Sequence, residues 1–82
     1  MLTLYTRAGC PYCMKALVAM HELGLDFTEK DIADPEVAAE LEARGGKVQG
    51  PYLVDDEHHV EMYESDDIVA YLHETFGKEQ VQ

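Results

Sequence analysis

The chemistry in this sequence begins with two thiols three residues apart, Cys10 and Cys13 of Cys10-Pro11-Tyr12-Cys13. Pro11 suits the first position of a helix, where a missing N–H goes unused and its φ is already helical. Cys10 then falls at the N-cap, with its sulfur facing the free N–H groups and the positive end of the helix dipole. An ordinary cysteine, with a pKa near 8.5, is only a few per cent ionised at pH 7, whereas values of roughly 3.5 to 7.5 occur in such motifs. A shift of about two units corresponds to roughly 2.7 kcal/mol of preference for the charged form. Cys10 is therefore the expected attacking sulfur. Cys13 lies one turn on and shares a stripe with Leu17 and Met20, so it is expected to be more buried and to resolve a mixed disulfide at Cys10. The same pair could also be a zinc half-site or two core cysteines. Zinc takes four ligands, and His21, His58, His59 and His73 show no finger-like spacing to the pair, so no metal site is expected. His58 and His59 read as part of a solvated turn, His21 and His73 as exposed helical residues, and none of the four as catalytic.

The elements that hold these thiols follow from periodicity and punctuation. Leu2–Thr6 alternates as a short strand, Arg7-Ala8-Gly9 is a loop, and Cys13, Ala16, Leu17, Met20 and Leu23 keep helical spacing up to Gly24 at C′. Residues 26–32 alternate as a second strand, parallel to the first because a helix joins them, which gives a right-handed βαβ unit. Asp34-Pro35-Glu36 supplies the N-cap, N1 proline and first-turn acid of a second helix through Val37, Ala38 and Leu41. Arg44 falls in its last turn, and Gly45-Gly46 stops it. Residues 51–54 and 60–63 form a hairpin around the polar Asp55-Asp56-Glu57-His58-His59. Ser65 is expected to cap a third helix, with Asp66 and Asp67 in its first turn and Ile68, Val69, Leu72 and Phe76 facing inward. Gly77 ends it, and residues 78–82 form a frayed tail.

Eighty-two residues allow one small α/β domain, residues 1–82, with a single modest core. No apolar run is long enough to span a bilayer, so no membrane partner is expected, and Met1–Tyr5 followed by Arg7 is unlike a signal peptide. The expected location is cytoplasmic, where a lone cysteine pair is catalytic rather than structural. The formal charge is −11, and residues 51–82 hold nine acids against Lys78 alone. Such a surface repels phosphate backbones and argues against nucleic acid. The acidic face reads as a source of solubility, with a basic partner surface as the alternative.

The order βαβαββα, with the dithiol at the head of the first helix, resembles a glutaredoxin over nearly the whole chain, most closely through Tyr5-Thr6-Arg7-Ala8-Gly9-Cys10-Pro11-Tyr12-Cys13. The resemblance implies a thioredoxin-like fold, a four-stranded mixed sheet flanked by three helices. It also implies a glutathione-dependent thiol-disulfide oxidoreductase that reduces protein disulfides and protein-glutathione mixed disulfides. Glutathione would be a cosubstrate with no permanently bound cofactor, and the partners of the monomer would be disulfide-bonded or glutathionylated proteins. Pro51 resembles the cis-proline beside the active-site disulfide, and the residue before it offers its backbone to glutathione as an added strand would. Here that residue is Gly50, where the family usually has valine; glycine is freer and packs less.

A second departure follows the hairpin, where glutaredoxins usually carry Gly-Gly, a small residue and aspartate. Pro51-Tyr52-Leu53-Val54 and Glu64-Ser65 are instead similar to the N-terminal domain of glutathione transferases, whose Glu-Ser pair holds the γ-glutamyl end of glutathione. On that resemblance Ser65 meets a carboxylate, and Glu64 or Asp66 the ammonium. Pro11 and Tyr12 line the groove, and Arg7 ranks ahead of Arg44 and Lys47 for the glycyl carboxylate. Lys15 is either a support for the thiolate or a solvated charge. Two alternatives stand beside oxidoreduction: a non-catalytic glutathione-binding module, and an iron-sulfur carrier built from Cys10 and glutathione, to which Pro11-Tyr12 is less suited.

Overall fold

Alternation along the first strand decides what packs on each side of the sheet. The computed structural model describes residues 2–77, so the expected tail at 78–82 lies outside the described residues. The elements are β1 (Leu2–Thr6), α1 (Pro11–Glu22), β2 (Phe27–Asp31), α2 (Pro35–Gly45), β3 (Tyr52–Asp55), β4 (Val60–Met62) and α3 (Ser65–Phe76). Leu2 and Leu4 of β1 and Leu53 of β3 point to one face. There they join Ala16, Ala19 and Met20 of α1 and Ile68 and Leu72 of α3 in a buried cluster. Tyr5, Tyr52 and Val54 point to the other face and pack with Ile32 and with Leu41 of α2. A shift of one residue in register would exchange the two faces, so burial on both sides pins the pairing.

The sheet order is β2-β1-β3-β4. β1 runs parallel to β2, as the connecting helix requires, and antiparallel to β3; β3 and β4 form the antiparallel hairpin. This is the four-stranded mixed sheet with three helices of the thioredoxin-like glutaredoxin fold, in the expected order. The second helix starts and stops on its own signals. The Asp34 carboxylate accepts from the Glu36 N–H at 2.9 Å, and Gly46 closes the helix at a φ of 89°.

Two sequence expectations are corrected. Asp55 ends β3 instead of opening the turn, and it is buried. Burial is tolerated because its carboxylate accepts from Tyr71 Oη at 2.5 Å and pairs with His58 Nδ1 at 2.7 Å, which ties the hairpin to α3. Ser65 does not cap α3. Glu64 holds the cap position at a φ of 71°, and its carbonyl accepts from the Ile68 N–H at 3.0 Å. That reversal out of β4 makes Ser65 the first helical residue and buries it. No helix among the described residues is long and apolar enough to cross a membrane.

Candidate active site

The ends of β1 and β3 and the starts of α1 and α3 converge on the two thiols. Cys10 caps α1 with extended backbone and Pro11 at N1; its carbonyl accepts from the Met14 N–H, and no side chain competes for the helix's first N–H groups. The first turn of α1 carries no acid. Cys10 is half-buried and Cys13 is buried, and both are free thiols. Partial burial works against a charged Cys10. It is outweighed by hydrogen bonds from the Cys13 N–H and thiol and from the Tyr12 N–H, together with the Arg7 charge, so Cys10 titrates below an ordinary thiol. Burial pushes Cys13 the other way, up to about 11, although the Arg7 N–H donates to its sulfur at 3.4 Å. The two sulfurs are thus pulled in opposite directions, the capping thiol toward its anion and the deeper one toward its protonated form.

Next to this pair, the Gly50–Pro51 peptide bond is cis, as expected. Tyr12, Gln49, Gly50, Pro51, Glu64, Ser65 and Asp66 line a cavity of about 250 Å³. A second cavity of about 300 Å³ is lined by Thr6, Arg7, Gly9, both cysteines and Glu29. Both cysteines thus open on the second cavity, while Tyr12 of the same helix start opens on the first. A roomier groove of about 470 Å³ runs between α1 and α3; Pro11 lines this groove rather than either cavity, and the groove shares Met14 with the cysteine cavity and Asp66 with the cis-proline cavity.

The geometry is matched by likeness to known proteins. Residues 4–80 fit the family model of the glutathione S-transferase N-terminal domain. A glutaredoxin of Pseudomonas aeruginosa is 37% identical over 60 residues, which cover 72% of this chain and 71% of that one. The chain belongs to this glutaredoxin and transferase-domain family. A glutaredoxin structure from Brucella melitensis superposes with a TM-score of 0.69 at 33% identity, covering 95% of this chain and 84% of its own. A glutathione S-transferase from the Antarctic clam Laternula elliptica superposes with a TM-score of 0.80 at 29% identity. The match covers 94% of this chain but only 36% of the transferase, so the likeness is to about a third of that protein. These homologues support a glutathione-related redox role.

Within the glutaredoxin frame, the fold brings most of the expected site residues together. Tyr12, Gly50, Pro51, Glu64, Ser65 and Asp66 share one cavity, and Arg7, Cys10 and Cys13 share the other. The other expected cations are engaged elsewhere. Arg44 Nη1 pairs with Glu61 at 3.0 Å, and Lys47 lies 4.9 Å from the centre of the Tyr63 ring. Lys15 sits 3.7 Å from Asp66 and over the Tyr12 ring, linking the starts of α1 and α3. Sequence reasoning missed Gln49, whose place just before Gly50-Pro51 was the available signal. It also missed Thr6 and Glu29, joined by a 2.8 Å hydrogen bond, whose neighbourhood depends on β1–β2 register. Among the described residues no group of three His, Cys, Asp or Glu side chains could hold a metal ion.

Proposed function

We propose that this protein is a glutathione-dependent thiol-disulfide oxidoreductase, with Cys10 as nucleophile and Cys13 as resolving thiol. The observation that carries the reading is the contrast between a half-buried helix-capping thiol titrating low and a buried partner titrating high, beside the cis-Pro51 cavity. Cys10 thiolate attacks the glutathione sulfur of a glutathionylated substrate. The Cys10–glutathione bond forms, the original disulfide breaks, and the substrate leaves as a thiolate that takes a proton from water. A second glutathione thiolate then attacks the bound glutathione sulfur, giving oxidised glutathione and freeing Cys10. In the dithiol branch, Cys13 displaces glutathione from Cys10, and the resulting Cys10–Cys13 disulfide is reduced by two glutathiones.

The α3 start and the cis-proline loop bind the tripeptide. Gly50 offers backbone N–H and C=O to its extended chain, and Tyr12 and Pro51 wall it. Ser65 at the positive end of α3 meets a carboxylate, while Glu64 and Asp66 meet the ammonium. Arg7, exposed beside both thiols, faces the remaining carboxylate.

The test is turnover of a peptide-glutathione mixed disulfide coupled to glutathione reductase. Cys10→Ser is expected to fall to background, and Cys13→Ser to keep this reaction while losing reduction of protein disulfides. Loss of deglutathionylation in Cys13→Ser would reverse the roles. Glutathione binding with no turnover in the parent would leave a binding module.

A further inference from the structure

The cavity at cis-Pro51 has two walls, and the β3–β4 ladder ends before it joins them. Gln49, Gly50 and Pro51 form one wall, and Glu64, Ser65 and Asp66 the other. The ladder stops at the pair Leu53 and Met62, so the walls are the two chain segments that part beyond it. Residues 46–49 are exposed, and burial does not fix the first wall. The side chain of Tyr63 reaches across where the ladder stops. Its Oη donates to the Lys47 carbonyl at 2.7 Å and accepts from the Lys47 N–H at 3.1 Å. One phenol, on the residue just before Glu64, thus holds both backbone groups of a residue two places before Gln49.

The ring itself is held from several sides. Its centre lies 4.4 Å from that of Tyr52, and Lys47 Nζ stands 4.9 Å from it. At Gly45 the last turn of α2 leaves room for it, since a Cβ built there would fall 2.3 Å from Tyr63 Oη and 2.7 Å from Cε2 and Cζ. Gly45 is not among the glycines at positive φ, and alanine is the better helix former, so space for the phenol is what glycine supplies here. The clashing atoms are the far end of a side chain. The phenol would yield, and its bonds to Lys47 with it.

We propose that Tyr63 is a positioning residue for glutathione: it ties the cis-proline loop to the start of α3 and keeps the two walls of the cavity at ligand width. This rests on the glutathione-binding part of the proposed function and deepens it. Tyr63 lines neither the cis-proline cavity nor the cysteine cavity, so it acts through Gly50 and Ser65 and leaves the sulfur chemistry alone. Without the tether the ligand itself must order the exposed loop, and that cost is subtracted from binding.

The probe is S-methylglutathione, which has no thiol to exchange and so reports binding apart from turnover; it is titrated into the full chain by calorimetry. Tyr63→Phe keeps the ring and removes both hydrogen bonds. Its Kd is expected to rise about five- to tenfold, in line with two exposed hydrogen bonds near the low end of their usual net worth. In mixed-disulfide turnover the KM for glutathione should rise by the same factor, with kcat at saturating glutathione and the pH profile of Cys10 alkylation unchanged. A merely structural residue would lower Tm and the active fraction and leave KM where it was. Gly45→Ala displaces the same phenol from the other side, so it should weaken binding as much, and Gly45→Ala/Tyr63→Phe should stay within twofold of the weaker single variant. A folded Tyr63→Phe within twofold of the parent, a loss confined to kcat, or single penalties that multiply in the double variant overturns the proposal. If Tyr63→Phe does not fold, Gly45→Ala decides on the same twofold criterion; if neither folds, the proposal falls. A parent that does not bind S-methylglutathione removes the glutathione reading, and the inference goes with it. A parent that binds, with Tyr63→Phe unaffected, removes the inference alone.

Discussion

Two helices begin at the same cavity and are furnished in opposite ways. The start of α1 has Cys10 as its cap, proline next and no acid in the first turn; the start of α3 has Glu64 at its cap and Asp66 and Asp67 in the first turn. Each presents free N–H groups and the positive end of a dipole. On α3 the field is answered by the helix's own carboxylates. On α1 it is left for sulfur, since a carboxylate there would both satisfy the N–H groups and repel a thiolate. The ion pair that links the two starts joins opposite signs, Lys15 of α1 at 3.7 Å from Asp66 of α3. A positive helix end is left to act on a capping sulfur only where the chain withholds acids from it.

The contrast can be broken most directly by giving α1 what α3 has. Tyr12→Asp is expected to raise the Cys10 pKa by about one unit, roughly 1.4 kcal/mol, at the upper end of dipole and charge effects. Its check is the pH dependence of iodoacetamide alkylation at Cys10. In the parent, that profile should rise at a pH below the ordinary thiol range, while Cys13 should react only as pH approaches about 11. The signs for stability follow. The depressed Cys10 value contributes stability that is present above the unfolded value near 8.5 and lost as pH falls through the folded value. Cys13, raised, contributes stability that is present below that unfolded value and lost as pH climbs toward about 11. Urea unfolding of Cys13→Ala between those limits should therefore show a shallower alkaline decline than the parent, the remainder coming from Tyr5 and Tyr71, which burial raises to about 12.

A smaller effect is expected on the α3 side. Ser65→Ala should raise the KM for glutathione about fivefold, the equivalent of one hydrogen bond of about 1 kcal/mol, with little change in the Cys10 alkylation profile. If Ser65→Ala shifted the Cys10 titration instead, the two helix starts would not be doing separate jobs. The smallest effect is expected for Asp67→Asn. Removing one acid from the α3 dipole should lower stability by about 0.3 kcal/mol in urea unfolding, without altering turnover. A gain in stability would mean that repulsion within the acidic surface outweighs the dipole at that position.

Much of this arrangement was legible in the residues alone, and what was missed has a common cause. The strand, loop and cap that place Cys10, the Asp34 cap and the Gly46 stop are set by neighbours within one helical turn, where residue type constrains geometry directly. Asp55 looked like a turn residue because polarity in sequence says nothing about a phenol such as Tyr71 waiting to receive it on another element. Ser65 looked like a cap because serine caps helices. The positive φ of Glu64 moved the helix start by one residue, and that turn follows from where β4 delivers the chain.

Residue identity and spacing were enough to place the dithiol: two thiols one helical turn apart, a proline to start the helix between them, and a chain order that puts this helix after the first strand. Those depend on contacts a few residues long, for which identity and spacing are enough. The tertiary structure alone decided that Gly50 lies against Cys13 Sγ, that Arg44 pairs with Glu61 instead of lining the cavity, and that Tyr12 and Ser65 face one opening. Each of these joins segments far apart in the chain. Only the register of β1 with β3, pinned by side chains buried on both faces of the sheet, brings them together.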